Sequence, residues 1–95
     1  MIRNVVVGRL LPDVPPERVR AALLDLRVPG VELRMVSGLD LGLREGNASY
    51  VITVDLDDED AYRVYDRDEE HNRIRREMFA PISASIERIQ FRLPG

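Results

Sequence analysis

From Ile2 to Leu11 the chain is apolar at both parities, with Val5 and Val7 on one side, Val6 and Leu10 on the other and Gly8 between them; this predicts a strand covered on both faces. Pro12, Pro15 and Pro16 then punctuate the chain, and Val19, Ala22, Leu23 and Leu26 recur at helical spacing, predicting a helix over roughly 15–27 that Val28-Pro29-Gly30 ends. Val31, Leu33 and Met35 alternate with Glu32 and Arg34 as a half-exposed edge strand does. The stretch 39–47, with Gly38, Gly42 and Gly46, reads as a loop, and from Ala48 the positions Tyr50, Ile52, Val54 and Leu56 alternate with Ser49, Thr53 and Asp55 as a third strand.

Asp57-Asp58-Glu59-Asp60 offers a cap and an acidic first turn to a short helix whose inner stripe is Ala61, Val64 and Tyr65. Asp68 recaps the chain. His71, Ile74 and Met78 then share the inner side of a helical segment that Pro81 stops, with Glu69–Arg73 and Arg73–Glu77 as exposed pairs. The last strand, Ile82 to Leu93, changes apolar parity from Ile82, Ala84 and Ile86 to Ile89, Phe91 and Leu93, which predicts a bulge near Glu87 and Arg88.

The order β-α-β-β-α-β predicts an α+β, ferredoxin-like protomer: one domain over residues 1–95, an antiparallel four-stranded sheet and helices on one face. The helix-free face is apolar enough that a lone copy would leave a patch exposed, so a homodimer through that face is expected. Sheltering that face would leave a private chamber around His71. A chain of 95 residues has a thin core of its own, which points the same way.

Composition narrows the chemistry. There is no Cys, which removes disulfides, thiolate metal sites and thiol nucleophiles. All 14 basic residues are Arg, so lysine Schiff bases and the P-loop lysine are absent too. With 17 acidic residues and a net charge of −3, the chain repels a phosphate backbone, and nucleic acid is not an expected partner. Arg3, Asn4 and Arg9 interrupt the first residues where a signal peptide would be apolar, and no apolar run is long enough to cross a membrane, so a cytoplasmic protein is expected.

The acidic run 55–60 has Asp60 where a calcium loop needs Gly, and the glycines at 38, 42 and 46 are too widely spaced for a dinucleotide fingerprint. Ser37 lacks a nucleophile elbow. A sheet that binds RNA would need aromatics on its first and third strands, where only Tyr50 is aromatic. No metal site and no cofactor are expected.

His71, the single His, is the one side chain that exchanges a proton near neutral pH without a large shift, and Tyr65 lies six residues before it. The pair fits a base and its helper. It also fits a histidine satisfied at a helix start by neighbouring carboxylates beside a core tyrosine. Asn4 and Val6 on the first strand and Tyr50 and Ile52 on the third share the parity of one wall, with Ile74 and Met78 on the stripe of His71. Together they are the expected binding residues of a small apolar pocket that suits a hydrophobic ligand bearing oxygens.

The segments Met1-Ile2-Arg3-Asn4-Val5-Val6, Asp40-Leu41-Gly42-Leu43-Arg44-Glu45-Gly46-Asn47 and Asp57-Asp58-Glu59-Asp60-Ala61-Tyr62-Arg63-Val64-Tyr65, followed by His71 and Pro81-Ile82, resemble the stress-responsive A/B barrel (Dabb) family over essentially the whole chain. The resemblance implies a dimeric α+β barrel. The family holds stress proteins without assigned chemistry and a cyclase of the olivetolic acid type, which closes a linear polyketide by aldol condensation without a cofactor. By that resemblance His71 is the base and Tyr65 its helper, and His71 would remove a proton alpha to a carbonyl while Asn4 or Tyr50 orients the chain. The sequence departs from the family at Asn4, where a His is frequent, and at Asp68-Glu69-Glu70-His71, where a His-Pro-x-His run is frequent. Two other readings are a non-catalytic stress-responsive binding module and cofactor-free oxygenation of a quinol-like substrate.

Overall fold

The structure, a computed structural model, describes residues 1–25 and 34–94. β1 (Ile2–Leu10) pairs antiparallel with β3 (Tyr50–Leu56) on one side and with β4 (Ser83–Arg92) on the other, and β2 (Arg34–Leu39) closes the far edge in the order β2-β3-β1-β4. The element order is that of a ferredoxin-like α+β protein.

The predicted edge strand is an edge strand; Val31 and Leu33 lie outside the described residues, and Leu39 and Gly38 belong to β2 rather than to the loop. The third strand follows its pattern residue by residue, with Tyr50, Ile52, Val54 and Leu56 buried and the residues between them half-buried.

The helices lie against the face that these side chains present. α1 (Pro16–Asp25) brings Val19 and Ala22 into the core, and α2 (Glu59–Arg67) brings Tyr65. The stripe of α2 differs from the expected one: Val64 is exposed, and Tyr62 packs beside Ala61 and Tyr65 instead. Asp58 caps α2, its carboxylate accepting the Ala61 N–H at 2.8 Å. α3 (Glu69–Ile74) brings His71 and Ile74, then passes into a π-helical segment (Arg75–Phe79) and a 3-10 turn (Ala80–Ile82) containing Pro81. Arg73 pairs with Glu77 at 2.8 Å, as expected, and with Glu70 rather than with Glu69.

The irregularity in the last strand is not at Glu87 and Arg88. Arg9 faces Ser85 and Leu10 faces Ser83, so the extra residue is Ala84. From Ile86 onward the ladder is regular, with Gly8 opposite Ile86, Val6 opposite Arg88 and Asn4 opposite Gln90. Ile86 and Arg88 therefore face the helices, while Ile89 and Phe91, 61% and 43% exposed, face the other way.

Within one protomer the helices cover one face of β1. Ile2, Asn4 and Gly8 are buried beneath the helices, whereas Val5 is half-buried and Val7 is 36% exposed on the bare face. Gly8 is there for space: Tyr50 sits opposite it, and a Cβ at this position would fall 2.0 Å from Tyr50 Cζ.

The motif Asp40 to Asn47 is a turn organised by Asp40, whose carboxylate accepts from the Gly42 N–H at 2.8 Å and from Asn47 Nδ2 at 3.0 Å. Gly42 and Gly46 adopt φ of 72° and 83°, so these two glycines are turn residues. Among the described residues no helix is long and apolar enough to cross a membrane.

Candidate functional site

The site is built on the break between α2 and α3. Asp68 ends the first helix in an extended conformation (φ −62°, ψ 124°), its N–H donating to the Tyr65 carbonyl at 3.3 Å. Its carboxylate accepts the His71 N–H at 2.8 Å and so starts the second helix. Asn72 locks the joint from the other side, donating from Nδ2 to the Asp66 carbonyl at 3.0 Å. One aspartate thus fixes the backbone on both sides of a bend, and the bend brings Tyr65 and His71 ring to ring, centroids 4.2 Å apart and tilted by 35°. The Tyr65 ring, not its hydroxyl, is what meets the imidazole.

Between this pair and the sheet lies a chamber of about 50 Å³, walled by Asn4 and Val6 of β1 and Tyr50 and Ile52 of β3. By the measure that gives one water about 10–15 Å³, it holds a few water-sized groups. The structure therefore brings six of the eight predicted residues together: His71, Tyr65, Asn4, Val6, Tyr50 and Ile52. It does not bring Ile74 or Met78 to the wall. Ile74 is a core residue and Met78 packs against the core. The chamber also differs in origin from the expected one, since it lies between the sheet and its own helices and not behind the bare face that a second copy would cover.

His71 is 4% exposed, and its Nδ1 is buried without a hydrogen-bond partner among the described residues. Burial lowers its pKa from the usual 6.5, and the Arg75 cation lowers it further; the Tyr65 backbone, Asp68 and Asp66 pull the other way. The net direction favours the neutral imidazole. Burial likewise pushes the Tyr65 phenol up to about 12, against the opposing pull of Arg75 and Arg88, so Tyr65 is a neutral hydroxyl at physiological pH.

Two polar wall residues are tied down. Asn4 Oδ1 accepts from Gln90 Nε2 at 2.7 Å. Ser83 donates to the Phe79 carbonyl at 2.7 Å, which leaves the Tyr50 hydroxyl to donate to Ser83 Oγ at 2.8 Å. Tyr50 therefore contributes its ring to the wall, while its hydroxyl is held by Ser83.

Three charged residues on the wall escaped the sequence reading: Asp66, Arg75 and Arg88. Arg75 had a signal, lying one turn after His71 on the same helical side. Arg88 had none, because the parity change was assigned to its own position. No group of three or more His, Cys, Asp or Glu arranged to hold a metal ion is present among the described residues.

No family model matches the chain, and no curated protein matches it significantly. Among solved structures, a dimeric ferredoxin-like protein of unknown function from Thermobifida fusca is 30% identical, with a TM-score of 0.84 over 97% of this chain and 90% of that one. The chain belongs to the family of that dimeric ferredoxin-like protein. A Dabb family protein with a ferredoxin-like fold from Mesorhizobium loti shares the fold at 18% identity (TM-score 0.68, 99% of this chain, 97% of that one). The Dabb-type ferredoxin-like fold expected from the motifs is thus the fold this family member has. A hydroxynitrile lyase from Passiflora edulis also shares it, at 15% identity (TM-score 0.77, 95% of this chain, 90% of that one), so some proteins with this fold are enzymes.

Proposed function

We propose that this protein is a homodimer whose protomers each use the chamber for acid–base chemistry on a small carbonyl compound, with His71 as the general base and Tyr65 as the hydrogen-bond donor to the developing oxyanion. One observation carries the reading: a buried imidazole on the wall of a cavity, with its neutral form favoured. Removal of a proton alpha to a carbonyl places negative charge on the carbonyl oxygen, and a phenol with a pKa near 12 is a neutral donor throughout the working range. Carbon–carbon bond formation of the cyclase kind would follow if the enolate met a second carbonyl. The chamber's size of about 50 Å³ argues for a compact substrate rather than a chain of polyketide length. The same smallness supports a second reading, in which the dimer binds a small molecule without turnover.

The test is exchange of alpha protons of hydroxyacetone and pyruvate into heavy water, followed by NMR. Acceleration by the wild type that drops by about 10²-fold or more in His71→Gln supports the base. Wild-type protein that leaves both exchange rates at the buffer value overturns turnover on these compounds and favours the binding module, whereas oxygen uptake with a small quinol would favour oxygenation.

A further inference from the structure

The wall of the chamber is not electrically neutral. Its one carboxylate among the described residues, Asp66, is 3.5 Å from Arg75, and the same guanidinium donates to Asn72 Oδ1 at 3.1 Å. Arg88 is the second guanidinium on the wall, and no acidic side chain among the described residues pairs with it. With His71 neutral, the chamber carries an excess of one positive charge, placed by the regular β4 ladder opposite Val6.

We propose that Arg88 makes the chamber selective for a small oxo acid, its carboxylate held at Arg88 and its carbonyl set between Tyr65 and His71. This rests on the reading of the chamber as a ligand site and names the ligand's chemical class. Three further features fit that class. The volume of about 50 Å³ suits a molecule of a few heavy atoms. The side chains available to a ligand are mainly donors or cations: the Tyr65 hydroxyl, Arg88, and the amide of Asn4, whose oxygen is already engaged by Gln90. Arg75 and Arg88 both favour negative charge on the Tyr65 oxygen, against burial, Tyr62 and Asp66, so these two guanidiniums are the wall groups that would offset charge on a carbonyl oxygen there. A guanidinium is also the group best shaped for a carboxylate.

The chain's single His makes its ring resonances an unambiguous reporter. Pyruvate and pyruvamide have the same shape and number of heavy atoms and differ in charge, so each is titrated against the His71 ring signals at pH 7.5. Pyruvate is expected to shift them with an affinity about tenfold or more above that of pyruvamide, as one charge-assisted contact allows. Arg88→Gln should abolish the preference and Arg88→Lys should retain part of it, both with wild-type circular dichroism. Equal affinity for the two probes, or a preference that survives in Arg88→Gln, overturns the inference while leaving the chamber a ligand site. Absence of any shift with either probe overturns the ligand site itself, and the inference with it.

Discussion

The rings of Tyr65 and His71 meet with 4.2 Å between centroids and a tilt of 35°, although a helix end and a helix start separate them in the chain. The contact replaces water on one side of the imidazole with an apolar ring, and desolvation is the main reason the charged form is disfavoured. Packing and chemistry are therefore the same feature here: whatever loosens the stack also changes the base.

The first prediction concerns pH. The folded-state pKa of His71 lies below its unfolded value, so the stability this residue contributes is present above the unfolded pKa and is lost as pH falls through the folded one. Wild-type protein should lose stability in that acid window, and His71→Gln should lose less, measured by chemical denaturation across pH. Parallel stability curves for the two proteins would contradict this.

A second prediction concerns the joint. Asp68→Ala removes the carboxylate that accepts the His71 N–H, which should destabilise the protein by about 0.5–2 kcal/mol. Asp68 also favours the imidazolium, so its removal should lower the His71 pKa further if the stack survives. Thermal melts and an NMR titration read the two effects separately; Asp68→Asn, which keeps a cap, should recover most of the stability.

A third prediction concerns the wall. Gly8→Ala places a methyl group 2.0 Å from the Tyr50 ring, and the tyrosine can yield only by leaving Ser83. Overpacking of this kind costs about 1–3 kcal/mol. The loss should shrink in Gly8→Ala combined with Tyr50→Leu, where the smaller side chain leaves room, and equal melting temperatures for Gly8→Ala and wild type would contradict the packing.

A fourth prediction concerns the bare face. Val5 is opposite Thr53 and Ile89, Val7 is opposite Val51, and Ile89 and Phe91 stand exposed, so an apolar stripe crosses three strands. Light scattering should give a dimer for the wild type and a monomer for Ile89→Arg with Phe91→Arg. The doubly substituted protein should keep its chamber, because that cavity lies on the opposite side of the sheet. A dimer unaffected by the two arginines would place the interface elsewhere.

These particulars also show what a sequence holds and what it does not. The third strand was legible to the residue because its alternation is strict from Tyr50 to Leu56, and one face of a sheet buried against helices requires that pattern. Asp58 and Asp68 were legible as caps because a carboxylate three residues before an N–H is a local relationship. The parity change in the last strand marks a change of face and not an extra residue: the ladder is regular from Ile86 to Arg92, with Ile86 toward the helices and Ile89 and Phe91 on the bare side, and the irregularity at Ala84 lies before it.

A bulge at Glu87 and Arg88 would leave Arg88 on neither face, so the pattern alone predicts an apolar site, whereas the regular ladder sets Arg88 opposite Val6. Ile74 and Met78 miss the chamber because its wall follows His71, Arg75 and Phe79, four residues apart, while Ile74 and Met78 lie on the adjacent side and pack into the core. The stack of Tyr65 on His71 was out of reach of spacing altogether, since six residues across a helix break fix no distance until the backbone angle at Asp68 is known.

The central claim, a buried neutral base beside a small chamber, is tested most directly by following the His71 ring carbons through a pH titration of the intact protein. With one His in the chain, there is one titration curve to find. The account predicts a midpoint below 6.5, rising when Tyr65→Ala uncovers the ring. A midpoint at or above 6.5 in the folded wild type would show a solvated or ion-paired imidazole, and would contradict it.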